Sequence, residues 1–473
     1  MSERPPVAPP LPGTPRLIPR ADHAISRAFV SPNALKTLYR INAQGFRAYL
    51  VGGCVRDLWL GREPKDFDVV TDATPRQIKR IFRNCRLVGR RFRLAHLHFQ
   101  DELIEVATFR SLVSGEPEEE AEEGGERPAA ADVVAEGSEP PGRPTHFAVD
   151  ETGMVLRDNV FGNPEEDALR RDFTVNALFY DITDFSLIDY VGGVEDLQRG
   201  VIRTIGEAEE RFIEDPVRML RAVRFAAMLG FTIEEATLAA LLRQAPTITR
   251  STPPRLYEEV LKLFLLGEGE RTYQLLRQTG LFAPLFPVFS AWLDRESDGF
   301  PHTGISRALD WIDSRIQTGG SISPTLLCAL LFGQFLEEQA ELRRTAGSPP
   351  GQAIQGAVAD FLEGVAATVR IPKAVGLAVR EILAGQYRLR KIPGKRAQAF
   401  VQKPIFAEIL DYLRFTSLLS GEGGDRLAWW EQFAAGSGES PPILGPEGPA
   451  QESRPKRRRR RRKGRATPRE GAP

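Results

Sequence analysis

The stretch "EPKDFDVVTDATP" (residues 63–75) sets Asp66 and Asp68 on either side of Phe67, at the mouth of an apolar run. In an extended strand, residues two apart point to one face, so both carboxylates project together while Phe67 turns inward. Two unneutralised carboxylates that close repel, and one tends to keep a proton. A divalent cation such as Mg2+ removes the cost, because it takes carboxylate oxygens and shares phosphate oxygens. Such a site activates an attacking hydroxyl and steadies a departing pyrophosphate. A solvated aspartate pair at a strand edge is the plainer reading, and Asp-x-Asp alone does not choose between them.

"VGGCVRD" (residues 51–57) adds a second piece. Gly52 and Gly53 follow a strand and open a helix, where backbone N–H groups meet a triphosphate with no Cβ in the way. Arg56, one turn into that helix, reaches the same phosphates. A lone Gly-Gly turn is also an ordinary strand–helix connection. A phosphate cradle followed by metal carboxylates is more specific than either part. "IEVATFR" puts Glu105 in mid-strand, where a carboxylate needs a partner: a third contact to the metal, or an arginine. His96 and His98 share a strand face, and two histidines without a third ligand more often pack or touch phosphate than bind metal.

Elements must position these groups. "SPNALKTLYRINAQG" predicts a helix with Ser31 as N-cap, Pro32 at its first position and Gly45 at its end. "FRAYLVGG" reads as a strand, "CVRDLWLG" as a short helix and "DFDVVT" as a second strand. "TPRQIKRIFRN" is a helix capped by Thr74, and "CRLVGRRFRLAHLHFQDELIEVATFR" holds two or three further strands. From about residue 206 the periodicity is almost wholly helical. The expected architecture is α+β: a small antiparallel-sheet head over residues 21–205, an all-α neck over 206–270 and a helical body over 271–435. Three segments fall outside it: a Pro-rich disordered start (1–20), a solvated acidic insertion (113–150) and a disordered basic tail (436–473).

The chain has 473 residues, 42% hydrophobic and 27% charged, ordinary values for a soluble globular protein. No run of 18 apolar residues exists and the N-terminus does not read as a secretory signal. Three cysteines at unrelated spacings (Cys54, Cys85, Cys328) argue against a disulfide framework or a zinc site, so a reducing cytoplasm is expected. The net charge of zero conceals segregation. The last 23 residues carry eleven Lys/Arg and two Glu, and seven Glu lie in "EPEEEAEEGGE" (116–126).

"LVGGCVRDLWLGREPKDFDVVTDATP" resembles the signature of class II nucleotidyltransferases, the family of tRNA CCA-adding enzymes and bacterial poly(A) polymerases. The resemblance implies two-metal nucleotidyl transfer with Mg2+, a nucleoside triphosphate substrate, and the head, neck and body just described. It implies Asp66 and Asp68 as catalytic metal ligands, with Glu105 as a further candidate, and Gly52, Gly53 and Arg56 at the triphosphate. "RRDFTVNAL" resembles the family's second motif, which implies Arg171 beside the nucleotide's sugar and phosphates and Asp172 as a third catalytic carboxylate.

"EDPVRMLRAVRF" (214–225) resembles the family's EDxxR motif. As plain structure it is a capped amphipathic helix, with Asp215 as N-cap and Pro216 at the first position. Three arginines at 218, 221 and 224 repel at that spacing unless an anion lies near. Functionally, Asp215 accepts from an exocyclic amine while Arg218 donates to the adjacent ring nitrogen, an edge that adenine and cytosine share. Arg221 and Arg224 would hold phosphates or the sugar. This motif does not separate ATP-only from ATP-plus-CTP enzymes.

"FRNCRLVGRRFRLAHLHF" resembles the signature that tells bacterial poly(A) polymerases from CCA-adding relatives, and its Arg90, Arg91 and Arg93 are expected to hold RNA phosphates. Ten Lys/Arg within residues 454–465, among them Arg457, Arg458, Arg459, Arg460, Arg461, Arg462 and Lys463, would grip RNA backbone through counterion release. The tail's other reading is a passive solubilising end. The expectation is an adenylyltransferase acting on RNA 3′ ends with ATP in RNA processing and decay, with RNA-decay machinery as a further partner. A CCA-adding enzyme is the rival, and a non-catalytic RNA-binding relative a more distant one.

Overall fold

The computed structural model describes residues 15–89, 94–111, 148–149, 155–157, 161–295, 302–390 and 397–436. Ten strands begin the fold: β1 (Arg16–Ile18), β2 (Ala48–Val51), β3 (Asp68–Thr71), β4 (Cys85–Val88), β5 (Leu94–His98), β6 (Leu103–Thr108), β7 (Ala148–Val149), β8 (Val155–Arg157), β9 (Leu178–Asp181) and β10 (Leu187–Asp189). Eight of them make one sheet in the order β1-β10-β9-β2-β3-β6-β5-β4, and β7 pairs with β8. Every neighbouring pair in the large sheet is antiparallel except β3–β6, which runs parallel and sets Asp68 opposite Glu105.

Central strand β2 is apolar throughout because both its faces are covered. Ala48 and Leu50 join the main core, whereas Tyr49 and Val51 join a second cluster with Val70, Phe109 and Phe179. On the main-core face packs α1 (Pro32–Asn42), burying Ala34, Leu38 and Ile41, with Ser31 accepting from the Ala34 N–H at 3.1 Å. α2 (Gly53–Trp59) follows the glycine turn, and α3 (Pro75–Ile81) starts on a Thr74/Gln77 capping box. α4 (Pro164–Arg170) and α5 (Gly193–Arg199) complete the head.

The neck holds α6 (Ala208–Glu214), α7 (Val217–Leu229), α8 (Glu235–Gln244) and α9 (Pro253–Phe264). The body continues with α10 (Gly269–Gln278), α11 (Phe282–Leu285), α12 (Pro287–Leu293), α13 (His302–Gln317) and α14 (Pro324–Thr345). It ends with α15 (Pro350–Val365), α16 (Lys373–Leu389), α17 (Ala397–Val401), α18 (Phe406–Ser420) and α19 (Gly424–Ala434). Its core is aromatic, with Phe332 4.9 Å from Phe289 and 4.7 Å from Phe361 between ring centroids. Among the described residues, no helix is long and apolar enough to cross a membrane.

Three expectations change. Regular structure begins at Arg16 rather than after residue 20, because Arg16–Ile18 hydrogen-bonds along β10 at the sheet edge. The neck is not wholly helical: β11 (Val201–Ile202) pairs in parallel with β12 (Thr232–Ile233), stitching the end of the head to the turn after α7. Asp66 lies two residues before β3 rather than in it, so only Asp68 of the pair takes its direction from the pleat. The acidic run at 116–126, the arginines at 90, 91 and 93 and the basic tail lie outside the described residues.

Candidate active site

The glycine turn fixes the corner around which the other groups gather. Gly52 has φ +80° and ψ −138°, a conformation that side chains avoid. A Cβ on it would stand 3.5 Å from Arg171 Nη1 and 3.7 Å from Asp68 Oδ2. The glycine, the strand-end carboxylate and the arginine of "RRDFTVNAL" thus converge from three separate stretches of sequence. Arg171 is held from behind by Asp167, which accepts from its Nη2 at 2.8 Å, and it lies over the Phe179 ring.

Asp68 is half-buried, and its carboxyl is pushed up to about 6. Burial is the main cause and Glu105 adds to it; Arg171 opposes, and Asp66 contributes a further rise. Asp66 itself is exposed. Among protein groups Glu105 meets a histidine rather than an arginine: His96 Nε2 lies 3.4 Å from its carboxylate across the β5–β6 pair. The two histidine rings sit 6.4 Å apart, edge to face. Among the described residues no three His, Cys, Asp or Glu side chains are gathered in metal-binding geometry. The donor set nonetheless suits a hard divalent cation: exposed Asp66 and desolvated Asp68 supply oxygen ligands only, and added positive charge would relieve the crowding that raises Asp68.

A polar chain joins the glycine helix to the neck. Arg56, buried at 4% exposure, donates to Asn176 Oδ1 at 2.7 Å. Asn176 Nδ2 donates to Asp172 at 3.3 Å, and Asp172 receives Arg221 at 2.6 Å. Burial disfavours a charge on Asp172, yet Arg221, Asn176 and then Arg218 outweigh it and hold the carboxyl down at about 2. Asp172 therefore faces an arginine, which makes it the anchor of the neck's Arg221. Phe225 gathers three cations around one ring, with the guanidinium carbons of Arg56, Arg221 and Arg224 at 5.2, 5.3 and 4.6 Å from its centroid.

Asp215 and Arg218, the pair expected to read the base, lie at the expected helix start, one residue shifted: Asp215 closes α6, and its Oδ1 accepts from the Val217 N–H at 3.2 Å. Neither side chain is free. Arg255 clasps Asp215 with both Nη atoms at 2.9 and 2.6 Å, and Arg218 donates to Glu214 at 2.7 Å and to the Arg211 carbonyl at 2.9 Å. Arg224 lies 3.5 Å from buried Glu259 of α9, an ion pair that clamps two neck helices together rather than one aimed at a phosphate. Asn176 stood inside a motif already singled out, and its amide at a buried head–neck junction was the available signal. Arg255, two prolines into α9, carries no such mark.

A glycine turn, a strand-end carboxylate and converging arginines on an antiparallel-dominated sheet, followed by a helical neck and body, define a nucleotidyltransferase. Residues 48–203 match the poly(A) polymerase head domain, 230–293 the probable RNA- and SrmB-binding site of polymerase A, and 346–464 the polymerase A arginine-rich C-terminus. The chain is 44% identical over 422 residues to poly(A) polymerase I of Salmonella typhi, covering 89% of this chain and 86% of that one. It is 34% identical over 248 residues to a CCA-adding enzyme of Lactobacillus johnsonii, covering 52% and 54%. The Bacillus stearothermophilus CCA-adding enzyme solved with CTP shares the fold at TM-score 0.55 and 24% identity, over 86% of this chain and 82% of that one. The chain belongs to the tRNA nucleotidyltransferase/poly(A) polymerase family and is a nucleotidyltransferase of its poly(A) polymerase branch.

Proposed function

We propose that this chain transfers AMP from ATP to RNA 3′ ends without a template, in the cytoplasm, as a step in RNA processing and decay. The observation that carries the reading is the convergence of Gly52, Asp68 and Arg171 on one corner. The 3′-oxygen of the RNA attacks the α-phosphorus of ATP. The new O–P bond forms as the bond to the bridging oxygen breaks, pyrophosphate leaves and the hydroxyl proton passes to solvent. Gly52 and Gly53 let backbone approach the phosphates, while Arg56 and Arg171 offset their charge. Mg2+, held by Asp66 and Asp68, would activate the hydroxyl and stabilise charge on the departing pyrophosphate.

Asp172 positions Arg221 at the nucleotide, and Asp215 with Arg218 reads the base. A carboxylate has about four acceptor sites, so Asp215 can take an exocyclic amine while Arg255 keeps its grip. The higher identity and coverage of the poly(A) polymerase relatives support adenylate over C-C-A addition. The test is to incubate the protein with a generic RNA and with tRNA lacking its CCA end, against each nucleotide separately. Long A tracts on generic RNA are expected; C-C-A addition confined to tRNA would overturn the reading.

A further inference from the structure

The body holds a cleft of about 230 Å³ between α15, α16, α17 and α18. Gly351, Gln355, Arg380, Glu381, Arg388 and Lys403 stand around it, with Phe400 and Ile409 among its apolar lining. Arg380 and Arg388 lie two turns apart on α16, so both fall on one helix face. The floor between them is Gly385, where a Cβ would come within 2.7 Å of Ile409 Cγ2. A larger residue there would fill the cleft and push α18 away.

The positive charge on this wall outnumbers the negative, with Arg380, Arg388 and Lys403 against Glu381. Elsewhere in the body, Arg295, Arg315 and Arg344 each have a carboxylate within 3.2 Å, and Arg343 and Arg414 are also paired with acids. Arg380 and Arg388 make no ion pair with any described residue. Lys403 touches Glu381 only at 3.9 Å, while Arg388 is steadied 5.6 Å over the Phe400 ring. Glu381 is the one carboxylate among the cleft residues, and residues 382–407 contain six Lys/Arg and no Asp or Glu. Guanidinium forks left without a carboxylate, on a wall stiffened by helix packing, match the oxygens of a phosphodiester.

We propose that this cleft binds phosphodiesters of the RNA upstream of the 3′ end. This rests on the RNA-extending reading above, and the experiment separates the two failures. R380Q/R388Q and R380E/R388E variants of the full chain are compared with wild type by fluorescence anisotropy on 5′-hydroxyl single-stranded RNA, without ATP, across a salt series. Extension of primers of about 5 and about 25 nucleotides is then followed. Losing two phosphate contacts should weaken long-RNA binding about tenfold and lower the salt slope by about 1.4. The KM for the long primer should rise in step, while the KM values for ATP and for the short primer move less than about twofold. Unchanged RNA affinity and salt slope in the charge-reversed protein would overturn the proposal. So would equal losses on short and long primers, or a raised KM for ATP alone, which would assign the cleft to a free nucleotide. Unfolding curves that coincide with wild type establish that each variant is folded; if R380E/R388E melts early, R380Q/R388Q decides by the same readings. A wild-type chain that binds RNA but adds no AMP would sink the functional reading and leave the cleft assignment standing.

Discussion

At the scale of single residues, two aspartates in one site are driven to opposite ends of the carboxylate range by their neighbours. Asp68 sits high, at about 6, because burial and Glu105 disfavour its charge; Asp172 sits low, at about 2, because Arg221 and Asn176 outweigh burial. The proposed function makes the first a metal ligand, so Asp68→Ala should abolish nucleotide addition while RNA affinity in a binding titration stays within about twofold of wild type. Retained activity would refute its assignment. Asp172 already has its cation, and its removal should appear in stability. A carboxyl near 2 when folded and near 3.9 when unfolded contributes about 2.6 kcal/mol wherever both states are ionised. That contribution is present above about pH 4 and fades as the pH falls towards 2. Asp172→Asn should therefore unfold at lower urea at pH 7, with the gap from wild type closing in acid. A gap that ignores pH would show that the pair does not act through charge. The sequence marked both aspartates as acidic positions of interest but not their difference, because the groups that separate them, Glu105, Asn176 and Arg221, come from a neighbouring strand, a buried turn and the neck.

At the scale of elements, what could be read in advance was what depends on adjacent residues. Ser31 and Thr74 cap their helices by bonding three residues ahead, and the glycine turn follows from a strand ending in Gly52-Gly53. The Asp215–Arg255 clasp spans 40 positions and the Arg56–Asn176 bond spans 120, so no local pattern announces either. Asp66 shows the opposite error, since the alternation extends two residues too far and the strand starts at Asp68. The turn makes the sharpest element-level prediction. Gly52→Ala has ordinary contact distances to Arg171 and Asp68, so crowding is not its main cost. Its φ of +80° is, and the strain should lower unfolding stability by about 1–3 kcal/mol. The methyl group would also stand beside Arg171 and Asp68, where the proposed function puts the phosphates. The KM for ATP should rise well beyond the change seen with Gly45→Ala, another positive-φ glycine with nothing within 4 Å. Equal kinetics in the two variants would remove Gly52 from the nucleotide site.

At the scale of the whole molecule, the head supplies the corner where Gly52, Asp68 and Arg171 converge, the neck supplies arginines and the Asp215–Arg255 clasp, and the body supplies the cations of α16. The eleven basic residues of the last 23 extend that last theme beyond the described residues. Cleft and tail differ in physical kind. A run of consecutive arginines repels itself, pays entropy to be ordered and grips any polyanion; two arginines on a packed helix hold a phosphate at a fixed place. Deleting residues 452–473 should therefore weaken binding to long single-stranded RNA and flatten its salt dependence by about 0.7 per phosphate released. It should do so alike for RNA and for a featureless polyanion such as heparin. The cleft variants should lose RNA but hardly heparin, and their losses should add to that of the deletion, because groups that share no partner act independently. Should the deletion leave both affinity and salt slope unchanged, the tail is passive, and the long-RNA grip must come from the folded body alone.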